Sequence, residues 1–147
     1  MLGKLARMAA ERSQWSSYGY VFGQRLLRLR TMRGLSQDRL AELAHVSRNQ
    51  ISNLERNDNN GKSPADPSLS TVYRLARALH VPPAVLLPNA GGQVQEICPE
   101  HASLAVEVVW PSAPTDTLAF GVDHIFFALP GDEPSFAIGP GEEAQEG

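Results

Sequence analysis

Between Val21 and Leu87 apolar residues recur at intervals of three and four, and polar caps and turns interrupt them at short, even distances. Phe22, Leu26 and Leu29 fall at spacings of four and three, with Arg25, Arg28 and Arg33 off that apolar side and Gly34 as a stop. This predicts a first helix over about Val21 to Arg33. Ser36 caps a second, Gln37 to Ala44, whose Leu40, Ala41 and Ala44 line one side. Ser47 caps a third that runs to about Arg56, and Gln50 three residues later completes a capping-box pattern. The run NDNNGKSPADPS, Asn57 to Ser68, has turn chemistry and predicts a loop. Leu69, Val72, Leu75, Ala76 and Leu79 then mark a fourth helix over about Ser70 to His80. Pro82 and Pro83 start a short fifth, with Val85, Leu86 and Leu87 closing the core.

The flanks are weaker. Residues 1–17 pattern as an amphipathic arm, with Leu2, Leu5 and Met8 or Ala9 on one side and Lys4, Arg7 and Arg12 on the other, ending in the polar SQWSSYGY. After NAGGQ, the segments SLAVEVVW and DHIFFALP each read as a strand, rich in branched and aromatic residues. Together they make at most a β-hairpin, marginal unless it docks on something. From Pro130 the composition cannot assemble a core and predicts disorder. The expected organisation is therefore a mainly α protein in four parts. Residues 1–17 are an N-terminal arm, 18–88 a five-helix domain, 89–129 a linker with short strands, and 130–147 an acidic tail.

Composition narrows the function. The chain has 147 residues, enough for one core with flanks. Its single cysteine, Cys98, cannot close an internal disulfide, and with four scattered histidines it offers no zinc-spaced ligand set, so a reducing cytoplasm and no cofactor are expected. No apolar run approaches the roughly 18 residues of a membrane span. The net charge of −3 hides a division: residues 1–80 hold all 13 Lys and Arg against six acids, while residues 81–147 hold ten acids and neither Lys nor Arg. A basic half with an acidic extension points to a nucleic-acid-facing part, or to a solvated basic surface with a solubilising tail. GKS at Gly61–Ser63 lacks the leading glycine and preceding strand of a phosphate loop, and CPEH at Cys98–His101 lacks the second half of a metal site. No nucleophile, base and orienting group stand in recognisable order, so an enzyme is not expected.

The stretch RTMRGLSQDRLAELAHVSRNQISNLE carries the most specific signal. It resembles the Cro and lambda-repressor (XRE-type) helix-turn-helix regulators, whose pattern reads roughly RxxRGLSQxxLAxxxGVSxxxISxxE, and the resemblance covers about Val21 to Leu87. It implies a lambda-repressor-like fold and a sequence-specific regulator, a repressor, that binds double-stranded DNA as a homodimer with the helix after Ser47 in the major groove. It further implies base contacts from Arg48, Asn49, Gln50 and Asn53. Phosphate contacts fall to Gln37, Ser47, Ser52, Asn59, Asn60 and Lys62, and a structural ion pair joins Arg30 to Glu55. The family's turn glycine is replaced by His45, at a position expected to be left-handed; histidine is among the residue types enriched there. The alternative is a protein-interaction or antitoxin-like module whose acidic tail binds another protein; the sequence identifies no effector.

Overall fold

The computed structural model describes residues 2–59, 61, 63–94 and 109–126. Their elements are α1 (Leu2–Met32), α2 (Gln37–Ala44), α3 (Arg48–Glu55), α4 (Leu69–Leu79), α5 (Pro83–Leu86), a 3₁₀ turn (Pro114–Thr117) and α6 (Val122–Phe126). One apolar core joins them. Leu26 of α1, Leu40 of α2, Ile51 of α3, Leu75 and Leu79 of α4 and Leu86 of α5 are fully enclosed, which is the periodic set the pattern predicts. No strand occurs among the described residues.

Four helices stop in the same way. A residue one or two positions past each takes a left-handed conformation, at Gly34, His45, Asn57 and His80 (φ 70, 55, 52 and 53°). The next amide then reaches back five residues: Leu35 to Arg30, Val46 to Ala41, Asp58 to Asn53 and Val81 to Ala76, each N–H donating to the carbonyl at 2.9–3.1 Å. Only one of the four positions is glycine. The left-handed geometry expected at His45 is present, and it turns the chain directly from α2 into α3.

Three expectations are corrected. The polar stretch from Ser13 to Tyr20 does not end a helix, because α1 runs through it unbroken. The boundary drawn at residue 17 therefore falls inside a helix. Tertiary contacts override the weak local propensity: the Trp15 indole N–H donates to the Ala65 carbonyl (3.2 Å), and the Asn57 side-chain amide donates to the Ser16 carbonyl (2.7 Å). Second, Arg25 and Arg33 are buried rather than off the packed side. Arg25 donates to the carbonyl of Leu87, fixing α5 to α1. Arg33 donates to the carbonyls of Leu79 and His80 at 2.8 Å each, satisfying the end of α4, and to Leu118 at 3.2 Å. Third, DHIF, expected as the start of a strand, lies in α6, with the Gly121 amide donating to His124 Nδ1 (3.3 Å) at its start. Most of the partner segment SLAVEVVW and all of the tail 130–147 lie outside the described residues.

The 109–126 segment docks on Arg33. Phe120 lies with its ring 4.8 Å from the guanidinium carbon, its N–H donates to the Arg33 carbonyl (2.6 Å), and its ring packs against His80 and His124. Burial first, then the Arg33 charge and His124, holds the His80 imidazole down at about 4, against an ordinary 6.5. Burial also lowers Arg33 from its ordinary value, against the opposing pull of Asp116. Asp116 is itself pushed up by burial, but amide and hydroxyl bonds from Ala113 and Ser112, with the Arg33 charge, outweigh this and hold it below 3.8.

Close approach of α1 to α3 depends on Gly23: a Cβ there would overlap the Leu54 carbonyl oxygen and stand 3.0 Å from that of Glu55. Gly23→Ala should therefore lower unfolding stability by about 1–3 kcal/mol, read from the urea midpoint. A second expectation concerns pH. Because His80 binds its proton less readily folded than unfolded, its contribution is complete above about pH 6.5 and is lost as pH falls towards 4. The melting temperature should drop across that window, and His80→Asn, which tolerates the left-handed turn, should flatten the drop; Asp116 acts only below 3.8.

Candidate nucleic-acid interface

α3 is held at both ends and open along its front. At its start Ser47 Oγ accepts the Gln50 N–H (3.1 Å) while Gln50 Oε1 accepts the Ser47 N–H (2.9 Å), the reciprocal box that the spacing predicts. Ile51 and Leu54 face the core. At its end Glu55 is buried and meets Arg30, with side-chain exposures of 4% and 14%. Arg30 Nη2 lies 2.6 Å from Glu55 Oε1, and its Nε donates to the same oxygen at 2.9 Å. Arg30 Nη1 donates to the Leu35 carbonyl (2.9 Å), and Gln37 Nε2 donates to Glu55 Oε2 (3.3 Å). The Arg30–Glu55 pair thus gathers α1, the turn after it, and the first residue of α2 around the foot of α3.

The expected readers divide on inspection. Arg48, Asn49 and Gln50 are exposed on the leading turn, and Ser52 and Asn53 are half-buried behind them. Arg48 Nε lies 3.3 Å from Asp38 Oδ1, a pair of largely exposed side chains, so screening leaves it weak. Asn53 Oδ1 accepts from Arg56 Nη2 at 2.8 Å. Gln37 stands beside the exposed Ser36 and Asp38 and is half-buried against Glu55, which it braces. Asn59 is exposed, its N–H donating to the Ser63 carbonyl (2.9 Å). Asn60 and Lys62 lie outside the described residues.

Two residues that the sequence reading did not single out complete the geometry. Asp38 supplies the acid facing Arg48. Asn57, just past the end of α3, bonds both to Ser16 of α1 and, through Oδ1, to the Ala65 N–H (3.1 Å). An asparagine immediately after an apolar helical run is the signal for its left-handed stop, but its partner 41 residues away leaves no local trace.

A capped, braced helix that follows a tight left-handed turn and carries Arg-Asn-Gln on its open side defines a helix-turn-helix. Residues 23–92 match the family model described as a helix-turn-helix domain. Among solved structures, the chain is similar to the restriction-modification controller protein C.AhdI from Aeromonas hydrophila. That match is 39% identical, covers 47% of this chain and 96% of that one, and has a TM-score of 0.41. It is also similar to an HTH_3 family transcriptional regulator from Vibrio cholerae (26% identity, 49% of this chain and 37% of that one, TM-score 0.43). A third is the hypothetical transcription factor NHTF from Neisseria (28%, 48% and 74%, TM-score 0.42). No curated protein matches. Residues 23–92 thus form a helix-turn-helix domain.

Because Glu55 is enclosed, removing one member of its pair strands the other. Arg30→Met or Glu55→Met alone should each cost about 3 kcal/mol, whereas the double variant should recover much of that loss. Urea unfolding of the three variants decides it: a double variant as unstable as the sum of the singles would show that the two charges do not act as a unit.

Proposed function

We propose that this protein is a sequence-specific, double-stranded DNA-binding transcriptional regulator that reads the major groove with α3 and represses as a homodimer. The observation that carries this reading is the pairing of a rigidly braced α3 with an exposed Arg48-Asn49-Gln50 front. Rigid placement is what base-edge recognition requires, because a bidentate contact is lost when the side chain is displaced by an ångström. The names of the similar proteins, a controller protein, a transcriptional regulator and a transcription factor, support it.

In this reading Arg48 is matched to guanine O6 and N7, while Asn49, Gln50 and Asn53 suit adenine. Gln50 acts from within its cap, so its carbonyl oxygen is committed and its amide nitrogen is the group presented. Gln37, Ser47, Ser52, Asn59, Asn60 and Lys62 hold phosphates and set register without reading sequence. A single domain of this size makes few contacts, and a two-fold dimer on half-sites about 34 Å apart supplies the remainder.

Selection of bound duplexes from a randomised pool should enrich a palindromic site, with affinity falling steeply as salt rises. Arg48→Ala should relax preference at one base pair of each half-site by about 1–3 kcal/mol, whereas Gln37→Ala should weaken all sequences alike. Enrichment of no sequence, or affinity indifferent to salt, would overturn the reading. Protection of a single half-site in a footprint would remove the dimer, and unchanged transcription from a promoter carrying the selected site would remove repression.

A further inference from the structure

A glutamine reads adenine with both atoms of its amide, the oxygen accepting from N6–H₂ while the nitrogen donates to N7. Gln50 does not have both to offer. Its Oε1 accepts the Ser47 N–H at 2.9 Å and the Ser47 hydroxyl at 3.3 Å, which occupies both lone pairs of that oxygen. The amide cannot be turned over in this setting, because its nitrogen carries donors only and the Ser47 N–H needs an acceptor. Freeing the oxygen would also strip the start of α3 of half its capping box. What Gln50 presents from its exposed position is therefore the Nε2 group, two N–H donors with no partner among the described residues.

We propose that Gln50, locked in its cap, is a donor-only reader that selects a keto base on the strand it touches, guanine through N7 and O6 or thymine through O4. Adenine offers one acceptor, N7, flanked by an amino group that would face another donor, and cytosine offers the amino group alone. A donor set against a donor leaves both without a bond, so these two bases are disfavoured. The inference rests on the DNA-binding reading and narrows it: the adenine match that follows from residue type gives way at Gln50. Its neighbour Asn49, equally exposed and with neither amide atom bonded within the described residues, keeps that match. Two adjacent side-chain amides thus read different bases because one of them is a cap.

The test is selection of duplexes bound by the full chain, repeated with Gln50→Ala. The variant should lose preference at one base pair of each half-site and keep the rest, which marks the pair that Gln50 reads. That pair is then altered group by group with the parent protein. If it is G·C, replacing guanine by 7-deazaguanine should weaken binding about fivefold, the worth of one neutral hydrogen bond. If it is T·A, replacing adenine by 2-aminopurine, which lacks the major-groove amino group, should change nothing. Loss on 2-aminopurine, indifference to 7-deazaguanine, or a Gln50→Ala variant with the parent's preference at every position would overturn the proposal. Should Gln50→Ala lose its fold, Gln50→Glu carries the test, because a carboxylate oxygen accepts the Ser47 N–H equally well and leaves no donor. Its preference should turn from the keto base to cytosine, and retention of the keto base would count against the donor-only role. A parent chain that enriches no sequence defeats the DNA-binding reading and this with it; an enriched site that the altered bases contradict defeats the donor-only role alone.

Discussion

The contact between Arg30 and Glu55 decides where α3 points. A carboxylate with 4% of its side chain exposed is tolerable only if its oxygens are fully occupied. Here the guanidinium and the Gln37 amide occupy them. Attraction and desolvation nearly cancel in such a pair, so its main effect is positional. Any rotation of α3 about its axis would pull Glu55 off both partners at once. Apolar contacts through Ile51 and Leu54 hold α3 against the core but, being non-directional, fix its angle less sharply. The bidentate geometry of the pair supplies the direction that packing lacks.

Gly23 is the steric counterpart of that pair. With no Cβ, α1 comes close to the carbonyls of Leu54 and Glu55, and this closeness brings Arg30, two turns further along, within reach of the carboxylate. Gly19 does the same one turn earlier, where a Cβ would overlap the Asn57 side-chain oxygen. Two glycines four residues apart inside a helix lower its local stability, so the helix is held there by what touches it. Trp15 and Asn57 are those holds.

How much of this was legible in the sequence follows from the range of each signal. The caps at Ser36 and Ser47, the box at Gln50 and the apolar periods of α2 and α3 act over three or four residues and stand in the structure, whereas Leu69, read with the period of α4, is exposed. The Arg30–Glu55 pair spans 25 residues and was reached through the family resemblance, because nothing local marks it. The continuation of α1 through Ser16 and Ser17 rests on a bond across 41 residues, and propensity alone reads that stretch as a stop. Arg25 and Arg33 misled for a different reason. A guanidinium is buried readily when it meets helix-terminal carbonyls, and those of Leu79, His80 and Leu87 come from later elements. In α6, a short apolar run could not be told from a strand by period alone; docking of Phe120 and Ile125 on the core settled it.

The front of α3 is already engaged in intramolecular bonds. Arg48 leans on Asp38, the Gln50 carbonyl oxygen holds the cap, and Asn53 accepts from Arg56. Each such group that moves to a base edge exchanges one bond for another, so a correct contact adds little net energy. A wrong base, by contrast, leaves a desolvated donor or acceptor with nothing, and that penalty is larger than the gain from a match. The geometry therefore favours discrimination over affinity. Asp38 sharpens this, because a carboxylate beside Arg48 is repelled by the phosphate backbone unless the guanidinium finds a strong acceptor of its own. In the proposed DNA-binding reading, affinity then falls to groups that clamp phosphates and to a second copy of the domain. Under that proposal, the division of labour suits a protein that must leave most of the DNA it meets.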